Sequence, residues 1–161
     1  MSKALRWNNM GFGKYPGKTL PQLLLNDPDY FFWAIENHVF ITKPHLKEQA
    51  EILDRRARSV KIPVNENNKL QVEHIISPVN YSYARFDIEP SSKPVHRGGS
   101  PAYRSKYVDF SAPKQFRGYD KAGYKLFISS FKQHILKNRN ARLTKKVCEE
   151  FFSNPGNFGN P

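Results

Sequence analysis

"LQVEHIISPVNYSYARFDIE", residues 70–89, decides the fold class. Two runs rich in β-branched and aromatic residues, "LQVEHII" and "YARFDIE", flank a polar "SPVNYS" break. In the second run Ala84, Phe86 and Ile88 fall on one face and Arg85, Asp87 and Glu89 on the other. That alternation belongs to a strand with one side on a core. The stretch therefore predicts a β-hairpin. A third strand is expected around "KYVDF", residues 106–110, beyond a polar crossing, "PSSKPVHRGGSPAYRS", that prolines and glycines break into a loop.

Outward from the hairpin the periodicity turns helical. On the N-terminal side "IPVNENNK" is a linker, since a proline and asparagines interrupt every period. Before it, Leu46, Ala50, Leu53, Ala57 and Val60 recur at helical spacing, with acids preceding "RRAR" as the helix macrodipole favours. Further back, "NDPD" separates an apolar Leu20–Leu25 segment from Tyr30–Phe40, and Asn26 or Asp27 can cap a helix with Pro28 in its first position. On the C-terminal side Tyr124, Phe127, Ile128, Phe131, Ile135 and Leu136 form one stripe behind an Asp120 cap. A last short helix, "KKVCEEFF", follows Thr144. The expected architecture is α+β: a glycine-turn and helix module over 1–62, beside a small antiparallel sheet with basic C-terminal helices over 63–161.

At 161 residues and 39% hydrophobic content the chain can bury one ordinary core, or two small ones sharing an interface. Lys plus Arg number 26 against 14 Asp plus Glu, a net charge of +12 that suits a polyanionic partner. The excess sits late, with ten bases and three acids in residues 111–161. Lys137, Arg139, Arg142, Lys145 and Lys146 fall in one acid-free stretch, "KNRNARLTKK", which joins two helices. They can contact phosphates, with the helix N-terminus after Thr144 as a further anion site, or form a plain solvated loop. A lone cysteine, Cys148, fits a reducing compartment and reads as an inert core residue beside Phe151 and Phe152. No apolar run reaches the roughly 20 residues of a membrane span, and the first residues lack the apolar core of a secretion signal, so a cytoplasmic protein is expected.

The chain also carries "GFGKYPGKTL" at 11–20. Gly11, Gly13 and Gly17 permit backbone conformations that align N–H groups on one side of a turn, where Lys14 and Lys18 can bracket a phosphate. Tyr15 and Trp33 can offer rings to a base. Alternatively the glycines close a hairpin whose Phe12 and Tyr15 pack on the following helix. The spacing is not that of a nucleotide-triphosphate loop. Phe12, Gly13, Lys14, Tyr15, Gly17, Lys18, Leu20, Pro28, Tyr30 and Trp33 together resemble a small module at the C-terminus of exodeoxyribonuclease X-like proteins, found also in phage and bacterial accessory proteins. The resemblance covers about a quarter of the chain and omits the exonuclease catalytic domain. It implies an accessory role.

Catalysis has thin support. Glu73, Asp87 and Glu89 on the hairpin, with Lys93 beyond, are the candidates for a metal-dependent nuclease, but alternating charge on a solvated strand explains them equally. The histidines have no metal-ligand spacing, and no serine or cysteine sits in a nucleophile-elbow context. No cofactor or metal is expected. In "HRGGSPAYR", Arg97 and Arg104 flank a glycine pair that lets backbone approach a strand, with Tyr103 available to stack. The expectation is a non-catalytic nucleic-acid-binding protein, for DNA more than RNA, with the cations of the opening turn and of the tail sharing one groove. An inhibitor or adaptor that binds a host protein is the second reading.

Overall fold

The hairpin forms as its alternation predicts. In the computed structural model, which describes residues 6–95 and 100–159, β1 (Leu70–Ile76) pairs antiparallel with β2 (Tyr83–Pro90). The third strand differs from the expectation. β3 is Ala102–Ser105, inside the stretch read as loop, and it pairs antiparallel with the other edge of β1 to give the order β2-β1-β3. Val108, expected within a strand, makes an isolated bridge to Val60 instead. The reason lies across the sheet: Tyr103 stands opposite His74 and Arg104 opposite Glu73, so partners distant in sequence stabilise a segment whose local composition favours a turn.

Among the described residues, six α-helices complete the α+β architecture. α1 (Leu20–Asn26) follows the glycine turn, and Gln22 accepts the Thr19 N–H at 3.1 Å to close its first turn. Asp27 caps α2 (Pro28–Glu36) by accepting the Tyr30 N–H at 3.1 Å, as the "NDPD" signal predicts. α2 buries Phe31, Phe32 and Ala34 but ends before His38, whose φ of 54° belongs to a turn. α3 (Pro44–Ala57) buries Leu46, Ala50, Leu53 and Ala57. α4 (Lys114–Arg117) is a short turn that periodicity did not reveal. α5 (Lys121–His134), capped by Asp120, packs along β2, and Ser130 Oγ accepts the Phe86 N–H at 3.2 Å. Thr144 caps α6 (Lys145–Ser153), which lies against α1.

One hydrophobic cluster runs from Trp7 to Phe158 and joins the N-terminal helices to the sheet and the tail. Its centre is aromatic. Phe110 meets Phe127, Phe131 and Phe152 edge-on at centroid distances of 5.0–5.8 Å, the arrangement that ring quadrupoles favour. Trp7 Nε1–H donates to Ser153 Oγ at 2.9 Å, and Val60 bridges both Val108 and Phe158. First and last elements are thereby tied together. No helix among the described residues is long and apolar enough to cross a membrane.

Candidate nucleic-acid interface

The basic segment between α5 and α6 projects as its position predicts. Ile135, Leu136 and Leu143 pack on the core and pin its ends, leaving Lys137, Arg139, Arg142, Lys145 and Lys146 exposed. Lys137 itself has φ 60°, a left-handed residue at the point where α5 turns away. Lys146 lies 3.9 Å from Glu150, an exposed i,i+4 pair worth little in water. Thr144 Oγ1 accepts the Val147 N–H at 3.2 Å, so the first turn of α6 is fixed among these cations.

Beside this segment runs a groove that the sequence did not reveal. The backbone of 61–64 divides two cavities of about 420 and 450 Å³ that share Lys61, Ile62, Pro63 and Val64. The first is rimmed by Lys61, Lys69 and Lys106 and walled by Tyr107. The second reaches Ile135 and Phe151, at the root of the basic segment. The three rim lysines are exposed, and none enters an ion pair among the described residues. They are brought together by long-range pairing: Val60 N–H donates to Val108 O at 3.1 Å and Lys61 N–H to Asn157 O at 2.8 Å. No local signal marks them, because 8 and 37 residues separate them along the chain.

The glycine turn is locked onto the following helix. Gly11 and Gly13 have φ of 71° and 76°, and a Cβ at Gly13 would come within 2.9 Å of the Tyr30 hydroxyl. The turn's amides face inward: Gly11 N–H donates to Pro16 O, Lys18 N–H to Tyr15 O and Lys14 N–H to Tyr30 Oη. A backbone cradle for phosphate is therefore not formed by these groups. Asp27 gathers the motif, since Oδ2 accepts the Tyr15 hydroxyl at 2.6 Å and lies 3.4 Å from Lys14 Nζ, while Oδ1 caps α2. Hydrogen bonding to Tyr15, followed by the charge of Asp27, raises the Lys14 pKa. Tyr15 stands edge-on to Tyr30 at 5.4 Å, half-buried. Lys18 is exposed, and its charge reaches the buried Cys148 of α6, whose thiol burial pushes up to about 12.

For Lys14 the expected shared groove is corrected. Lys14 lies with Tyr119 and Lys121 at the start of α5 and Lys137 at its end, roughly 20 Å of helix apart. Arg104 is a second correction. Its side chain is 9% exposed and holds Glu73 Oε2 through Nε and Nη2 at 3.1 and 3.0 Å, and it also donates to the carbonyls of Pro90, Ser91 and Pro94. A buried guanidinium so engaged braces β3 rather than facing a ligand. Tyr103 stacks on His74 at 4.5 Å, and Arg97 lies outside the described residues.

The register sets Glu73 opposite Asp87, yet each acid has a cation of its own. Glu73 has Arg104, Asp87 has Arg85 at 3.2 Å with the His134 ring 3.7 Å away, and Glu89 has Lys93 at 3.0 Å. Among the described residues no group of three or more His, Cys, Asp or Glu side chains is placed to hold a metal ion. Comparison of the chain with protein-family models, with curated proteins and with solved structures finds no match.

Proposed function

We propose that this protein is a non-catalytic nucleic-acid-binding accessory protein of the cytoplasm, of phage or bacterial type, that contacts DNA phosphates through its tail. The observation that carries the reading is the acid-free run from Lys137 to Lys146, whose five cations are all exposed, beside a groove rimmed by Lys61, Lys69 and Lys106. A surface of this kind gains affinity by releasing the counterions condensed on a polyanion, so binding falls steeply with salt. The resemblance of the glycine-turn motif to a module of exonuclease-associated proteins supports the same class of partner.

Labelled single- and double-stranded oligonucleotides titrated across a salt series test this. Lys145→Glu/Lys146→Glu is expected to weaken binding at least tenfold and to reduce the slope of log affinity against log salt by about 0.7–0.9 per lost phosphate contact. Lys61→Glu/Lys106→Glu is expected to act in the same direction. Binding indifferent to salt and to both charge reversals overturns the proposal. A projecting apolar side chain favours a second reading, a protein partner: Val64 is 95% exposed between the lysines. Persistence of biological activity in charge-reversed protein identifies that reading.

A further inference from the structure

A separate, smaller cavity of about 200 Å³ opens between α2 and the start of α5. Its wall is Tyr30, Trp33 and Tyr119, its base Asp27 and Asp29, and Lys14 and Lys121 stand at it. Asp27 is fully employed by the Tyr30 amide, Tyr15 and Lys14. Asp29 is not. Its side chain is 5% exposed, and Oδ2 is buried without a hydrogen-bond partner. Oδ2 itself is enclosed, but Asp29 lines the cavity, and its other oxygen, Oδ1, has no hydrogen-bond partner among the described residues and can accept from a ligand that brings a donor.

The walls specify the rest. Trp33 and Tyr119 are 42% and 43% exposed, far more than an aromatic serving the core. Trp33 is tilted 31° from Tyr30, with centroids at 5.6 Å, so Tyr30 backs one side of its ring. This is a platform for a flat ring. An organic cation fits poorly, because Lys14 Nζ already sits over the Tyr15 and Tyr30 rings at 5.3 and 5.9 Å, and Lys121 adds a second positive charge. A ligand with an anionic tail fits both lysines. The volume admits one planar heterocycle, leaving a sugar-phosphate outside.

We infer that this cavity receives one unpaired nucleobase carrying an exocyclic amino group, stacked on Trp33 and donating to Asp29, with its phosphate between Lys14 and Lys121. The inference rests on the nucleic-acid reading for the class of ligand and adds a base-reading site remote from the tail. It assigns Lys14 and Trp33 to a nucleotide pocket rather than to the tail surface. Asp29 is where selectivity arises: guanine, adenine and cytosine present amino donors, whereas uracil presents two carbonyl acceptors and only a ring N–H.

The test is calorimetric titration of the full chain at pH 8.5, where Asp29 is ionised and only accepts, with GMP, AMP, CMP, UMP, ribose 5-phosphate, inorganic phosphate and tetramethylammonium. One-to-one binding of the amino-bearing nucleotides, at least tenfold tighter than UMP, is expected, with no saturation by the other three probes. Asp29→Ala is expected to bring the nucleotides to within about threefold of one another, and Trp33→Ala, a change on the exposed rim, to weaken all of them. Equal affinity for UMP and GMP, unaltered preference in Asp29→Ala, or saturation by tetramethylammonium overturns the inference. Should Asp29→Ala fail to fold, the nucleotide series on the unaltered chain and on Trp33→Ala still decides it. Oligonucleotide binding that depends on the tail, without mononucleotide binding, overturns this pocket and leaves the proposed function standing. Mononucleotide binding without oligonucleotide binding does the reverse.

Discussion

Asp29 and His74 are buried ionisable groups that pull stability in opposite directions with pH. Burial, then the charges of Asp27 and Asp120, raises the Asp29 pKa from 3.8 to about 7. Its contribution is full below pH 3.8 and is lost as pH rises toward 7. Burial lowers the His74 pKa from 6.5 to about 4. Ser105 Oγ donates to the Tyr107 carbonyl, so His74 Nε2–H donates to Ser105 at 2.9 Å and Nδ1 accepts from the Tyr83 hydroxyl at 2.6 Å. Both ring nitrogens are engaged in the neutral form, and its contribution, full above pH 6.5, is lost as pH falls toward 4. Between pH 4 and 6.5 the two slopes oppose. Thermal melts at pH 4.5 and 7 are therefore expected to show a larger acid-side loss of Tm in Asp29→Asn than in the unaltered protein. Equal losses would show that Asp29 titrates normally.

At the scale of elements, caps and stripes are local, and they are legible in the sequence. Asp27, Asp120 and Thr144 cap the helices that their positions announce. The strand β3 is not local. Its tie to β1 is the Arg104–Glu73 pair, in which side-chain exposures of 9% and 4% leave little water to screen the charges. Removing one partner of a buried pair strips the other of a main counter-charge, at a cost of up to about 3–5 kcal/mol. Arg104→Met is expected to lower unfolding free energy by that order in urea titrations, and Glu73→Gln added to it to recover part of the loss. A change below about 1 kcal/mol would show that β3 is held by its backbone pairing alone. The same pair explains why "HRGGSPAYR" misleads as sequence: its arginine reads as an exposed ligand for phosphate until the strand opposite supplies an acid.

For the whole molecule, the continuity of the core from Trp7 to Phe158 argues for one cooperative transition. Trp7 and Trp33 both lie in the first 62 residues, whereas the strands lie beyond them. Denaturant curves followed by tryptophan fluorescence and by far-ultraviolet circular dichroism are expected to coincide, and separated midpoints would divide the chain into independent units. The sequence by itself determined the α+β class, the central hairpin, the capped helices and a positive charge concentrated toward the tail, since each depends on neighbours a few residues apart or on composition alone. Tertiary structure decided where each cation lies and what it meets. Asp27 engages Lys14, Glu73 buries Arg104, and the Val60–Val108 bridge gathers Lys61 and Lys106 at one groove. The physical reason is that a side chain's charge belongs to its residue, but its exposure and its counter-charge belong to segments that meet only when the chain has folded.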